Sequence, residues 1–204
     1  FLEEYKEGME KPYYIMEDGK TYIYVEGFSG GGGTQESPYL VSTPEDLMAV
    51  TGTAHYLQVN DIDLADYAEF DNGQGFPTIA SFSGTYDGGN FKIKNLYQNG
   101  RNGLFSLYAY STTDRTITIK NVVIQNCYIV VKEGSAGALV SRHTGNSYNC
   151  YVNIENCHAS GYITGQNVKS GNGNAIGGLI GYTEDMMITV TKCTSSVDIN
   201  IFFT

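Results

Sequence analysis

The sequence predicts an all-β protein, specifically a right-handed parallel β-helix (a solenoid) of about four coils. The first observation is a repeat: residues 119–124 (IKNVVI) align with 154–159 (IENCHA) and 190–195 (VTKCTS), at offsets of 35 and 36 residues. A repeat of this length is typical of a supersecondary unit that buries its apolar face only by stacking on its neighbours. The second observation is that apolar residues alternate within each copy, as in a strand and not as in a helix.

Further residues fall into register between the copies. The matching sets are Gly103-Leu104-Phe105 with Ala138-Leu139-Val140 and Gly178-Leu179-Ile180, then Tyr128 with Ile163 and Ile199, and residues 93–96 (IKNL) as an earlier copy 26 residues before Asn121. Three inward columns are expected: Leu104/Leu139/Leu179, Val122/Cys157/Cys193 and Ile119/Ile154/Val190. Like residues over like favour three parallel strands per repeat, and a stack of antiparallel hairpins is the alternative.

The first 33 residues are predicted to form a separate N-terminal segment, and residues 34–204 the β-helix domain. Residues 1–12 are acidic without a clear period, which predicts a tail. Residues 13–25 alternate around Asp18-Gly19, a strong hairpin signal, so a β-hairpin is expected there. The glycines at 30–33 predict a flexible joint.

A helix signal begins at Thr43. Its hydroxyl can cap the first turn, Pro44 occupies the first helical position, and Asp46 stands where a capping-box acid belongs. Leu47 and Val50 give this short helix an apolar side. Because the open end of a β-helix exposes unpaired backbone groups, the helix is expected to cap the N-terminal end.

Residues 177–182 (GGLIGY), together with strands of the (I/V)xNC type such as 154–157, resemble the GLUG repeat of bacterial surface and secreted proteins. An upstream series resembles the entry module that often precedes such repeats: 38–47 (PYLVSTPEDL), 60–64 (NDIDL) and 82–88 (FSGTYDG). The chain departs from the pattern at Phe91, where a His is common, and at 137–141 (GALVS), which lacks the second glycine. The resemblance implies architecture and location; in larger relatives, such as bacterial IgA-cleaving peptidases, similar repeats imply an accessory or spacer role.

Charge and hydropathy argue against several classes of function. The net charge is −10, with 16 acidic and five basic side chains in residues 1–100, whereas a nucleic-acid binder needs a basic footprint. Anionic membrane surfaces are disfavoured for the same reason, and no apolar run is long enough to insert into a membrane. Since no leader is recognisable, any export signal is expected to have been removed or to lie outside this sequence. We expect an exported, extracellular or cell-surface module, with neighbouring domains of a longer chain among its partners.

The four cysteines are Cys127, Cys150, Cys157 and Cys193. Cys157 and Cys193 share an inward column, where they behave as small buried hydrophobes. Side chains stacked in parallel rarely reach the dihedral angle of a disulfide, so this pair is predicted to be reduced and buried. No CxxC or His-rich spacing suggests a metal site, and no cofactor is expected.

Two further groups of residues, the clustered aspartates and the histidines, suggest functional sites, but neither group has the spacing of a known motif. A calcium site is suggested by four carboxylates, those of Asp61, Asp63, Asp66 and Asp71, but their spacing is not that of an EF-hand, so solvated acids that cap strand ends are favoured. Residues 84–90 (GTYDGGN) predict a turn. The histidines are His55, His143 and His158, with no catalytic motif around them, and His158 is expected to face outward.

Two functions from different classes remain. An enzyme, either a polysaccharide lyase or a glycosidase, would need facing carboxyl groups, and the acids of the repeats share no column: Asp114, Glu133, Glu155, Glu184, Asp185 and Asp198. Exposed tyrosines form either a strip that binds sugars or proteins or a set of strand fillers: Tyr97, Tyr108, Tyr110, Tyr148, Tyr151 and Tyr162. The sequence thus predicts a non-catalytic, adhesin-like or scaffold module that binds an unknown glycan or protein; the small carbohydrate-active enzyme is the alternative. No catalytic, cofactor-binding or metal residue is assigned.

Overall fold

The strands wind into a parallel β-solenoid with three faces. The computed structural model describes the backbone of residues 14–17, 20–23, 28–108, 114–144, 150–166, 175–184 and 187–202. Face 1 contains β3 (Tyr39–Val41), β4 (His55–Gln58), β7 (Thr85–Asp87), β11 (Arg115–Lys120), β15 (Cys150–Glu155) and β19 (Met187–Thr191). Face 2 contains β5 (Ile62–Asp63), β8 (Lys92–Lys94), β9 (Tyr97–Asn99), β12 (Val123–Val131), β16 (His158–Gln166) and β20 (Thr194–Phe202). Face 3 contains β6 (Ile79–Phe82), β10 (Phe105–Tyr108), β14 (Val140–Thr144) and β18 (Ile180–Tyr182), and a short pair, β13 (Ala136–Gly137) with β17 (Ile176–Gly177), lies beside it.

Each coil contributes strands to all three faces in turn. Coil 1 holds β4–β6, coil 2 holds β7–β10, coil 3 holds β11–β14, coil 4 holds β15–β18, and β19 and β20 begin coil 5. Every strand pair that stacks one coil on the next is parallel. The predicted solenoid is therefore confirmed, and the antiparallel hairpin stack is wrong for this part of the chain.

The predicted columns align. Ile119 pairs with Ile154, which pairs with Val190, and the glycine-led columns align through Phe105, Val140 and Ile180. At the corner between faces 1 and 2, Asn121, Asn156 and Lys192 take φ values of 55°, 50° and 55°. This left-handed conformation suits Asn, whose amide can also hydrogen-bond locally. The Asn156 amide accordingly donates to Asn121 Oδ1 at 2.9 Å.

Two of the predicted alignments are wrong. Ile93 lies beside Ile124 on face 2, not beneath Ile119, whose partner in the coil below is Tyr86. The IKNL segment thus corresponds to the face 2 strands of the later coils and not to their face 1 strands, so its 26-residue offset is not the length of a coil. Tyr128 pairs with Tyr162, and Ile163 pairs with Ile129, because a bulge in β12 adds one residue to coil 3.

The N-terminal end is closed by a helix, as predicted. Helix α1 (Pro44–Ala49) has the expected capping box: Thr43 Oγ1 accepts from Asp46 N at 3.1 Å, and Asp46 Oδ2 accepts from Thr43 N. Leu47 and Val50 are buried in the core that the coils share. Two short helical segments follow in coil 1, a 3₁₀ turn at Ala65–Tyr67 and α2 (Phe70–Gly73).

The predicted hairpin is present as antiparallel strands β1 (Tyr14–Glu17) and β2 (Lys20–Ile23), whereas residues 1–13 lie outside the described residues. The glycines at 30–33 are not a flexible joint. Gly30 O accepts from Leu40 N, Gly33 O accepts from His55 N, and the Phe28 ring stacks on Tyr39 at 4.5 Å. Glycine is needed at Gly31 and Gly33 because φ is positive at both. A domain boundary at residues 33/34 stays a prediction.

Burial follows position in the stack. Ile119, Ile154 and Cys157 are fully buried, but Val190, one coil further along, is 45% exposed, and Cys193 is half-buried. The last described coil has a neighbour on one side only, so its inward residues are covered on one side only. The prediction that Cys193 is buried like Cys157 is therefore wrong.

Candidate functional site

Three tyrosines form a ladder on the outer surface of face 2, and we call Tyr97, Tyr128 and Tyr162 the tyrosine ladder. Tyr97 pairs with Tyr128 between coils 2 and 3, and Tyr128 pairs with Tyr162 between coils 3 and 4. The rings of Tyr97 and Tyr128 are stacked, with centroids 6.0 Å apart and planes 8° from parallel. Tyr128 and Tyr162 are 46% and 48% exposed, and Tyr97 is half-buried.

Alternation along the strands turns these rings outward. Cys127 and Ile129, on either side of Tyr128, are both fully buried, and so is Ile163 beside Tyr162. Because successive side chains of a strand point to opposite faces, the tyrosine between two buried residues must project into solvent. The outward direction of these tyrosines is therefore a consequence of core packing on the other side of the sheet.

The bulge on face 2 decides which residues stack. Asn95 and Asn126 occupy the bulge with φ of 56° and 59°, and the Asn126 amide donates to Asn95 Oδ1 at 2.7 Å. Coil 4 lacks this extra residue and passes the same point with Gly161, at φ 131°. A one-residue slip at this point exchanges the two faces of a strand, so the bulge brings Tyr128 rather than Cys127 over Tyr162.

Mostly polar side chains flank the ladder along face 2. On one side, Asn99, Val130, Thr164 and Asn200 share a column, and on the other Gln125 lies over Lys94. Lys94 Nζ is paired with Asp61 Oδ2 at 2.7 Å. In coil 5 the ladder position is taken by Asp198, which is exposed and pairs with Tyr162.

A loop closes the ladder at Tyr97. Phe76 N donates to Tyr97 O at 3.0 Å, and Gly75 forms an antiparallel bridge with Gln98. A side chain at Gly75 would overlap the Tyr97 carbonyl and ring, so glycine allows the loop to approach closely. An ion pair between Arg101 and Asp71 ties the loop to coil 2. The half-burial of Tyr97 follows from this packing.

The six tyrosines that the sequence offered either as a strip or as strand fillers do not form one strip. Tyr151 lies on face 1, where it is 37% exposed, and Tyr108 lies on face 3. Tyr110 and Tyr148 lie outside the described residues. Sequence reasoning found Tyr97 and Tyr162 but missed Tyr128, because an offset of 35 residues aligned it with Ile163. The signal that identifies it is Asn126, which marks the bulge two residues earlier.

The acidic residues of coil 1 serve as strand-end hydrogen-bond acceptors, as predicted. Asp61 Oδ1 accepts from Lys92 N at 2.9 Å, and Asp63 Oδ1 accepts from the Asn95 amide at 2.8 Å and from Ala65 N. Hydrogen bonds from Lys94 and Lys92 lower the pKa of Asp61, and a hydrogen bond from Asn95 lowers the pKa of Asp63. Within the described residues, no three His, Cys, Asp or Glu side chains come together as metal ligands would.

A cleft of about 310 Å³ on face 1 is the alternative candidate site. It is lined by His55, Leu57, Thr85, Asp87, Lys120 and the 35–38 loop. Burial raises the pKa of Asp87, but hydrogen bonds from Asn121, Gly89 and Lys120 outweigh it and lower the pKa overall. Asp87 therefore stays ionised and is held by its neighbours, which does not suit a general acid.

The remaining sequence candidates whose side chains are described have structural positions. His158 faces away from the core and its Nδ1 lies 2.8 Å from Thr194 Oγ1, whereas the side chain of His143 lies outside the described residues. All four cysteines are free. Cys157 N donates to Cys193 Sγ at 3.4 Å, and burial raises the pKa of the Cys157 thiol to about 12. Burial likewise raises the pKa of the Cys127 thiol to about 11.

Comparison with known proteins agrees with the repeat. Residues 172–200, which include β17–β19 and most of β20, match the GLUG motif family. The chain carries a GLUG motif. This confirms the resemblance predicted from residues 177–182, and it places the motif across the passage from coil 4 to coil 5.

Relatives of this GLUG-motif chain are much longer than it is. It is 32% identical over 125 residues to halomucin of Haloquadratum walsbyi, covering 57% of this chain and 1% of that protein. It is 30% identical over 135 residues to a protein of Evansella cellulosilytica named as a Gly-rich membrane protein, covering 62% of this chain and 15% of that one. A crystal structure of a candidate immunoglobulin A1 protease from Bacteroides ovatus matches 85% of this chain and 86% of that chain, at 14% identity and a TM-score of 0.31. In the described part of the chain, no helix has the length and apolar character needed to cross a membrane.

Proposed function

We propose that this GLUG-motif chain is an exported, non-catalytic module, displayed at the cell surface, that binds a glycan or a protein through the tyrosine ladder. The ladder is the observation that carries the proposal. Three aromatic rings in one column, two of them nearly half exposed, lie on a surface that does not contribute to the core. The membrane-protein name of one relative supports a location at the surface.

Binding explains the ladder better than strand pairing does. Cross-strand aromatic pairs stabilise a sheet by roughly 0.2–1 kcal/mol, a contribution that one stacked pair such as Tyr97–Tyr128 supplies. The third ring, Tyr162, extends the platform by another coil. Tyrosine offers a large contact area and a hydroxyl group at a small cost in side-chain entropy, which is why binding surfaces use it. A rigid solenoid holds the three tyrosines in one column, and the rings of Tyr97 and Tyr128 in a common orientation, before any ligand arrives.

Catalysis has less support. Glycoside hydrolysis requires two carboxyl groups on either side of the bond that breaks. The face 1 cleft contributes one carboxylate, Asp87, among its described lining residues, and that group is engaged by Lys120 at 3.1 Å and by the Asn121 amide at 2.9 Å.

A glycan and protein array on the purified chain tests the proposal, and the Tyr128→Ala variant is the chain in which the ladder is disrupted. Tyr151→Ala is the matched control, because Tyr151 is exposed to a similar degree but lies on face 1. We expect Tyr128→Ala to weaken binding at least tenfold and Tyr151→Ala to leave it unchanged. Equal binding by both variants, or no ligand at all, would remove the ladder from the proposal. Polysaccharide turnover that a carboxylate substitution abolishes would make the protein an enzyme.

A further inference from the structure

We infer that the ligand of the tyrosine ladder is a neutral polysaccharide, extended along the solenoid axis and contacted at its far end by Asp198. This inference rests on the proposed binding function and names the chemistry of the ligand. It follows from the direction of the ladder, from the side chains beside it, and from the two ends that bound it.

The direction of the ladder fixes the direction of the ligand. Paired positions in adjacent coils are separated by about one strand spacing, 4.7–4.9 Å, so the ladder runs across the strands and along the axis. A ligand that contacts the exposed parts of all three rings must therefore be extended and must repeat an apolar surface at a similar interval. An extended chain of pyranose rings does this, since each ring presents a face of C–H groups at intervals close to the length of one sugar residue.

The flanking columns match the rim of a sugar. Hydroxyl groups project around the edge of a pyranose ring, and each can both donate and accept a hydrogen bond. Asn99, Thr164 and Asn200 lie along one side of the ladder and Gln125 along the other, so amides and a hydroxyl accompany the rings, with Val130 as the apolar member of the first column. A protein ligand would instead be held by a desolvated apolar centre with charged anchors, and in the described flanking columns the apolar residue is the single Val130.

Charge disfavours an anionic glycan. Carboxylate and sulfate groups are recognised by Arg and Lys. In the described columns beside the ladder the cation is Lys94, and its ammonium is already paired with Asp61. The ladder position in coil 5 is the carboxylate of Asp198, and the whole chain carries a net charge of −10. An approaching polyanion is therefore repelled.

The ends of the ladder set the length of the ligand. The loop that packs on Tyr97 through Gly75 bounds one end. At the other end, Asp198 follows Tyr162 and offers two oxygens that can accept hydrogen bonds from a sugar diol. Four positions, Tyr97, Tyr128, Tyr162 and Asp198, therefore span about 14 Å at one strand spacing each.

Affinity measurements on the full chain test the inference. The probes are neutral polysaccharides (glucan, xylan, mannan and galactan) and anionic ones (polygalacturonate and alginate), followed by calorimetry with oligosaccharides of two to six units from the tightest binder. We expect binding to one or more neutral chains and none to the anionic chains. Affinity should rise with length up to about four units and then level off, as four ladder positions require. Asp198→Asn should weaken the four-unit ligand several-fold and leave the two-unit ligand nearly unchanged.

The outcomes separate this inference from the proposed function. Ladder-dependent binding of an anionic glycan or of a protein on the array would overturn the neutral polysaccharide and leave the ladder as a binding site. Neutral-chain binding that Tyr128→Ala does not weaken would overturn both. Thermal melting of each variant checks its fold, and Tyr128→Phe, which keeps the ring, should retain most of the affinity.

Discussion

Gly161 lies where coil 4 passes the bulge of coil 3, and Gly161→Ala should destabilise the protein strongly. Its φ is 131°, a value that side-chain-bearing residues rarely adopt, and a Cβ there would lie well inside 3.0 Å of the backbone O and N of Cys127. Both atoms belong to β12, so the overlap is relieved only if β12 and β16 separate. These strands carry Tyr128 and Tyr162, and separating them also breaks the ladder.

The cost can be bounded with a second glycine. Gly52 also has a positive φ, 62°, but a Cβ there would meet nothing within 4 Å. Gly52→Ala should therefore cost only the left-handed backbone term, about 1–2 kcal/mol. Gly161→Ala adds a steric overlap with backbone, which belongs with the rare substitutions that cost more than about 4 kcal/mol.

Thermal unfolding followed by circular dichroism measures the difference. For a chain of this size, 1 kcal/mol corresponds to about 2–4 °C in Tm. We expect Gly161→Ala to lower Tm by roughly 10 °C or more and Gly52→Ala by a few degrees. If the two variants melt within about 3 °C of each other, the close approach of β16 to β12 is not as described, and the pairing of Tyr128 with Tyr162 is refuted as well.

Three further predictions concern charge, thiols and capping. Folding lowers the pKa of Asp87, so the ionised carboxylate stabilises the folded state above its unfolded pKa of about 4, and this stabilisation is lost as the pH falls through the folded pKa. Below about pH 4, the Tm of Asp87→Asn should therefore fall less steeply with pH than the Tm of the unmodified chain. A thiol reagent at neutral pH should label half-buried Cys193 first and buried Cys157 only after denaturation, and equal labelling rates in peptide mapping would contradict this. Thr43→Ala should cost about 1 kcal/mol in urea unfolding and Thr43→Ser much less, unless the capping box contributes nothing.

Local signals in the sequence were sufficient to predict the architecture of the fold. A parallel solenoid is predicted by the offset of 35–36 residues, by the alternation of apolar positions and by the column Ile119/Ile154/Val190. In a stack of coils, similar residues at equivalent positions pack on one another. The helix after Thr43 was also predictable, since a capping box spans only four consecutive residues. The strand pair around Asp18-Gly19 was predictable for the same reason, as a hairpin is local in the chain.

The tertiary structure alone decided what lies on the surface and what is covered. Repetition in the sequence does not say that Val190 is 45% exposed while Ile154 is buried, because that depends on how many coils cover each one. It does not say that the glycines at 30–33 pack against coil 1, because their partners, among them His55, lie far along the chain. Above all, it does not place Tyr128. One extra residue at the Asn126 bulge shifts the pairing by one, and with side chains alternating every residue, that shift decides whether Tyr128 stacks in the exposed ladder with Tyr162 or is aligned with the core.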